Sequence, residues 1–348
     1  MFKCAANRFS VAVLLFILIM SDGFTQESHK SSLRFVFYNV ENFFDTFDDP
    51  QKDDNDFLPH GVMRWNYKRY TNKVNAIYKV IAAAGEWDTP AIVGFCEVEK
   101  RAVLQDIITR TYLQKYDYGI IHEESEDPRG IDVCLIYRKD VIKLLYYRYF
   151  KPAGFPEGEF RTRSVLYSKW MIADDTIHLF LNHWPSRRGG VLAGELLRTE
   201  IYGMVKGKED SILNSVNRHA KIIIAGDFNC TPGDMEILSH TDISKNESLE
   251  YDTPFVNLAE SSAKKGLGTY KYMGAWEMID QVIVSEWLLK CTVGFYADMN
   301  SFRIFDKDFL LKRDPNYPGF MPYSTYRGYK YQGGFSDHLP VILDLKRR

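Results

Sequence analysis

The sequence predicts a layered α/β domain over residues 31–348, and three observations lead there. Short apolar runs of strand length recur along the chain. Stretches with helical apolar spacing lie between several of them. No internal repeat, low-complexity tract or Pro/Ser-rich linker divides the chain. A length of 348 residues suits either two ordinary domains or one large layered fold, and the unbroken alternation of strand and helix favours the second.

The elements follow in order. Lys3 and Arg8 precede an apolar run, Phe9 to Met20, and the small polar stretch Ser21 to Gln26 follows it. This is the pattern of a secretory signal peptide over residues 1–25, cleaved near Gln26. Its apolar core is short beside the roughly 20 residues that a membrane-spanning helix needs. The expected mature protein is therefore exported, to the periplasm or beyond, with no membrane span. Strands are expected at Leu33–Val40, Ala91–Glu97, Ile131–Tyr137, Ile177–Leu181, Lys221–Ala225, Ile279–Val284 and Leu339–Leu345. Helical spacing appears in Val74, Ile77, Tyr78, Ile81 and again in Leu196, Leu197, Ile201, Tyr202, Val205.

Composition removes several function classes. With 45% hydrophobic and 15% aromatic residues the chain can bury enough surface to offset its conformational entropy, so it is neither disordered nor fibrous. Its 44 Lys+Arg against 46 Asp+Glu give a net charge of -2. A protein that holds nucleic acid through a broad basic surface carries a large positive excess, so phosphate recognition here must be local. Loss of residues 1–25 removes Lys3, Arg8 and Asp22 and leaves -3. Cys96, Cys134, Cys230 and Cys291 lie in or beside apolar runs at spacings that match no zinc motif. They are expected to be buried free thiols, with a disulfide as the alternative in an oxidising compartment. The cluster Asp48, Asp49, Asp53, Asp54, Asp56 lacks the glycine and closing Glu of an EF-hand and reads as a solvated acidic loop. Residues 302–331 are dense in aromatics, among them Phe305, Phe309, Tyr323, Tyr326 and Tyr329, interleaved with Lys and Arg. Such a segment either packs on itself or stacks against substrate.

The chemistry gathers at the ends of the apolar runs, where a strand can stay in the core while its last side chain projects into a cleft. Asn39 and Glu41 close the first run, Glu97 the second, and Asn182-His183 the fourth. Gly226-Asp-Phe-Asn229 follows the fifth, Asp280 lies in the sixth, and Ser336-Asp-His-Leu-Pro340 opens the last. Each signal is weak alone, since a lone Asp or Asn is more often a turn or cap residue. Converging carboxylates, however, repel one another unless a cation joins them. Glu41, Glu97 and Asp337 are hard oxygen donors suited to Mg²⁺, Mn²⁺ or Ca²⁺, and no HxxxH or HxxE pair supports zinc.

In that order, these motifs resemble the endonuclease/exonuclease/phosphatase superfamily, which includes pancreatic-type deoxyribonucleases, abasic-site endonucleases, neutral sphingomyelinases and inositol-polyphosphate 5-phosphatases. They run from Asn39 to His338 and so span nearly the whole expected mature chain. The resemblance implies a four-layer α/β sandwich, two packed β-sheets flanked by helices, with the site at one edge. It implies Glu97 as the principal divalent-metal ligand, with Asn39, Glu41 and Asp337 beside it, and Mg²⁺ as the leading ion. His338 would be the general base oriented by Asp280, with Asp227 and Asn229 positioning water and phosphate. His183 would contact the scissile phosphate.

Phosphate esters repel hydroxide and leave poorly, so their hydrolysis needs a cation on phosphoryl oxygen, an in-line water and a base. A His held by an Asp suits the last role. Arg129 and Arg187, with Asn182, are the candidate substrate contacts. Glu99, followed by Lys100, departs from the nuclease pattern, which carries a basic residue there, and argues against duplex DNA. The leading expectation is a nuclease-like phosphodiesterase acting on nucleic acid. A phosphomonoesterase or a lipid or inositol phosphodiesterase is the alternative, and a binding protein with a decayed site is disfavoured by the presence of every motif residue. The sequence points to no protein partner.

Overall fold

The computed structural model describes residues 31–152, 161–186, 191–216, 218–235 and 255–348. The expected signal segment lies outside them. In chain order the strands are β1 (Ser32–Phe43), β2 (Ile92–Val98), β3 (Tyr118–Ile121), β4 (Asp132–Arg138), β5 (Lys143–Phe150), β6 (Val165–Ile172), β7 (Asp175–His183) and β8 (Lys221–Asp227). They continue as β9 (Phe255–Asn257), β10 (Tyr270–Tyr272), β11 (Ala275–Glu277), β12 (Asp280–Ser285), β13 (Phe295–Tyr296) and β14 (Phe302–Ile304). The series ends with β15 (Leu311–Arg313), β16 (Phe320–Pro322), β17 (Tyr326–Arg327), β18 (Lys330–Tyr331) and β19 (Val341–Arg347). The principal helices are α1 (Tyr67–Gly85), α2 (Arg101–Thr109) and α3 (Val191–Ser215).

Two mixed sheets form the body. One runs β13-β19-β1-β2-β4-β3 with β14 also on β19, and the other β5-β6-β7-β8-β12-β9. Strand alternation sorts their side chains into three cores. Phe35 and Phe37 of β1 and Leu343 of β19 meet Leu179 and Leu181 of β7 and Val282 of β12 between the sheets. Val36, Tyr38 and Val40, on the opposite face of β1, pack with Val74, Ile77 and Ile81 of α1 and Val103 and Ile107 of α2. Phe180, Ile222 and Ile224, on the far face of the second sheet, meet Ile201 and Val205 of α3. Helices, sheet, sheet and helix are the four layers the motifs implied. The sheets approach closely at Gly94, where an added Cβ would stand 2.7 Å from Leu181 Cδ1.

Every expected strand is present, but six main-sheet strands, β3, β5, β6, β9, β13 and β14, and helix α2 lie outside those expectations. β6 escaped because its inward set reads Leu166, Ser168, Trp170, Ile172; Ser168 is fully buried and accepts the Trp170 indole N–H at 2.8 Å. β5 is an edge strand with most of its residues exposed, so it shows little burial pattern. α1 starts where the Asn66 side chain accepts the Arg69 N–H at 3.1 Å, a cap that stabilises a helix by about 1 kcal/mol. The four cysteines are free and buried, as expected. Asp48, Asp53 and Asp56 of the acidic loop are exposed and Asp49 is partly buried, while Asp54 is buried and accepts the Asp49 N–H. Among the described residues no helix is long and apolar enough to cross a membrane.

Candidate active site

Strand direction alone brings the motif residues to one edge. β1 and β2 are parallel, with Asn39 opposite Cys96, so Asn39 and Glu97 end side by side. β7 and β8 are also parallel and pair His183 with Asp227. β12 runs antiparallel to β8 and starts with Asp280 opposite Asp227. β19 is antiparallel to β1, so the Asp337-His338 pair just before it arrives at the same edge.

The cleft is joined across both sheets. The Asn39 amide donates to Glu97 Oε1 at 3.3 Å and to Asp227 Oδ2 at 3.0 Å. The Asn42 N–H donates to Glu97 Oε2 at 2.8 Å. His338 Nδ1 and Asp280 Oδ2 are 2.7 Å apart, and the Thr269 hydroxyl donates to the same oxygen at 2.5 Å. His338 Nε2 lies 3.9 Å from Asp227 Oδ2. His183 Nε2 is 3.8 Å from both Glu97 Oε1 and Asp227 Oδ2, while its Nδ1 is buried without a hydrogen-bond partner. Asn229 is fastened by its N–H to Asp227 Oδ1 and by its amide to Trp184 O, each at 2.9 Å.

The backbone here is strained. Glu41, Asn42, Glu97 and Asn229 have φ of 53°, 46°, 64° and 50°, a left-handed conformation that costs a non-glycine residue on the order of 1 kcal/mol or more. At Gly226 an added Cβ would lie 2.3 Å from Asn182 O, so only glycine lets β7 and β8 close beneath Asp227. The electrostatics are equally crowded. Burial, then the Asp337 charge, raise the Glu41 carboxyl to about 8 against the pull of Lys73. Burial raises Asp227 to about 7, with Asp280 adding to it and His338 opposing. Asp337 is raised by burial and by Glu97. Burial alone would lower His338, but Asp280, Asp227 and Asp337 carry it well above an ordinary histidine. His183, buried and facing Arg163 and Arg129, is held well below. Acids that repel one another at a strained edge, with oxygen donors from Glu97 and Asp337, fit a hard divalent cation; the Asn39 oxygen accepts the Glu41 N–H at 2.9 Å, so Asn39 orients the carboxylates through its amide nitrogen.

Some expected roles do not match this geometry. Both Glu41 oxygens accept backbone N–H groups, from Thr325 at 2.6 Å and Tyr326 at 2.9 Å, so Glu41 anchors the late segment. Asn182 is fully buried, donating to Ala225 O and accepting the Trp184 indole N–H; it has no surface for substrate. Arg129 is half exposed and paired with Asp127. Arg187 lies outside the described residues.

Other participants were missed. Lys73 is buried and donates to Thr325 Oγ1 and to Phe335 O. Its signal was a lysine on the buried stripe of α1, three residues after Tyr70 and four before Ile77. Arg163, also buried, joins Asp127 at 3.0 Å to Trp184 O at 2.7 Å. Thr269 carries no comparable mark in the sequence.

Comparison with known proteins gives the same frame. The profile of the Endonuclease/Exonuclease/phosphatase family matches residues 34–347. The fold resembles a humanized D. rerio TDP2 carrying 14 mutations, with 15% identity, TM-score 0.56, 91% of this chain and 100% of that one covered. D. rerio TDP2 complexed with single strand DNA product gives 14%, 0.54, 91% and 100%. An endonuclease/exonuclease/phosphatase from Bacteroides vulgatus gives 16%, 0.51, 92% and 100%. A search of curated proteins by sequence found no match. The chain belongs to the Endonuclease/Exonuclease/phosphatase family, a membership that supports metal-dependent hydrolysis of phosphate esters as its general chemistry.

Proposed function

We propose that this chain is an exported phosphodiesterase that cleaves nucleic acid, single-stranded rather than duplex. The observation that carries the reading is the 2.7 Å His338–Asp280 pair, set 3.9 Å from Asp227 at an edge that also holds Glu97. Asp280 fixes Nδ1 of His338 and leaves Nε2 facing Asp227, where it can take a proton from an attacking water. Asp227 and Asn229 orient that water and one phosphoryl oxygen. His183, held neutral, offers a ring N–H to another.

Glu97 and Asp337 would hold the metal with Asn39 beside them, and Glu41 would steady the segment that delivers Asp337. The ion, Mg²⁺ in the first instance, supplies Lewis-acid stabilisation of charge on the phosphoryl group. A bound cation would offset the negative charge of the acids that hold His338 high, and would so leave it closer to the range of a working base.

Two observations support a single-stranded nucleic-acid substrate. One structural neighbour is a TDP2 bound to single strand DNA product. At Glu99 the chain carries a buried acid that occupies Lys100 at 2.8 Å, so the flank where duplex would need a cation offers none free among the described residues. The test is hydrolysis by the purified chain of single- and double-stranded DNA, RNA, bis-nitrophenyl phosphate, nitrophenyl phosphate and sphingomyelin, with Mg²⁺ or with EDTA. Diester cleavage that EDTA abolishes, faster on single strands, is expected. Activity confined to the monoester or to sphingomyelin overturns the substrate, and activity in EDTA overturns the metal.

A further inference from the structure

We propose that His122, Glu124 and Asp132 form a second divalent-metal site, separate from the cleft and suited to a transition-metal ion such as Zn²⁺. One ligand atom from each lies within 4.8 Å of the other two. None of the three belongs to the cleft.

The site is built at the mouth of the β3–β4 pair. His122 follows the last residue of β3, and Asp132 is the first of β4. The chain between them returns so that the Ser125 N–H donates to Asp132 Oδ1 at 2.8 Å. That bond fixes the carboxylate and turns its second oxygen toward His122. Oδ2 of Asp132 and Nε2 of His122 stand 3.1 Å apart, on side chains only 0% and 3% exposed. Neither atom makes a hydrogen bond. This contact with each other is all that either atom has, so a shared cation could take both without breaking a hydrogen bond of the chain.

The spacing fits a shared ion. Ligands at about 2.1 Å from a metal, subtending roughly 90 to 109°, lie about 3.0 to 3.4 Å from one another. Glu124 is half exposed and can close the site from the solvent side. Lys52 does not replace the ion, because its ammonium is committed to Ser125 O at 2.9 Å and reaches Glu124 only at 4.0 Å. An imidazole with two carboxylates is a donor set for Zn²⁺ or a neighbouring transition metal rather than for Mg²⁺, which prefers oxygen and retained water. Three protein ligands leave a position for water. A bound ion would fasten the loop that carries Asp127, whose carboxylate holds both Arg129 and Arg163.

The experiment uses the full chain stripped with chelator, carrying Glu97→Gln to disable the cleft's own cation site. Zn²⁺ binding is followed by calorimetry in excess Mg²⁺, and Co²⁺ by its visible absorption. One equivalent is expected in Glu97→Gln, lost or strongly weakened when His122→Ala or Glu124→Gln is added. Glu124→Gln alters an exposed side chain, so it reads the site even if His122→Ala fails to fold. No stoichiometric Zn²⁺ in Glu97→Gln, displacement by Mg²⁺, or unchanged affinity in Glu124→Gln would overturn the site.

Discussion

At the cleft, Glu41, Glu97, Asp227 and Asp337 are gathered against their mutual repulsion on a backbone with four left-handed non-glycine residues. Along residues 302–335 the placement comes from aromatic packing instead. Tyr326 touches the rings of Trp65 at 6.0 Å and Phe57 at 6.1 Å, and its hydroxyl donates to Met63 O at 2.8 Å. Phe335 meets Phe309 and Tyr323. The two regions meet at Glu41 and Lys73, which bind the backbone or hydroxyls of this segment from the cleft side. The difference teaches where each kind of energy is kept: the segment stores stability that holds the cleft's unfavourable charges in place.

Four measurements break or sharpen that division. His338→Ala or Glu97→Ala should lower hydrolysis at least about 10²-fold while the chain still folds cooperatively in urea; near-full turnover in a pure variant would sink the cleft assignment. Lys73→Met leaves Glu41 buried without its neighbouring cation and should destabilise the chain by about 3 to 5 kcal/mol. Adding Glu41→Gln should restore part of that loss, and simple additivity of the two would show that they are uncoupled. Tyr326→Ala opens a hole among packed rings and should cost about 3 kcal/mol. Activity per folded molecule should fall less in this variant than in His338→Ala. Tyr329→Ala changes a ring that is 72% exposed and should move stability by no more than about 0.5 kcal/mol. A raised KM in this variant would mean that the segment also touches substrate.

pH separates the regions further. The folded values of Glu41 and Asp227, about 8 and about 7, exceed their ordinary 4.5 and 3.8. Their stabilising contribution is therefore complete below about pH 4 and is lost as pH rises toward 8. In EDTA the chain should weaken over that window, and Mg²⁺ should flatten the decline. Urea midpoints across pH, with and without metal, measure it; a metal-free stability that rises from pH 5 to 8 would show that the cleft acids are not crowded in solution.

The apolar runs of β1, β2, β4, β7, β8, β12 and β19 were legible because these strands are buried on both faces and read as near-continuous apolar segments. β6 and β5 were not, one because Ser168 sits in the core and the other because an edge strand faces solvent. In the 302–331 segment both readings were open, and Phe305, Phe309, Tyr323 and Tyr326 pack inward while Phe320 and Tyr329 remain exposed.

The sequence by itself determined which side chains stand at strand ends, since a short apolar run and the polar residue that ends it are local properties. It also bounded phosphate recognition to a local site through the near balance of 44 cations and 46 anions. Only the tertiary structure decided which of those residues meet. Glu41 became an anchor and Asn182 a core residue, while Lys73, Arg163 and Thr269 entered the site. Those outcomes depend on hydrogen-bond partners as far as 285 positions away along the chain, as between Glu41 and Tyr326, and no local pattern encodes a contact at that separation.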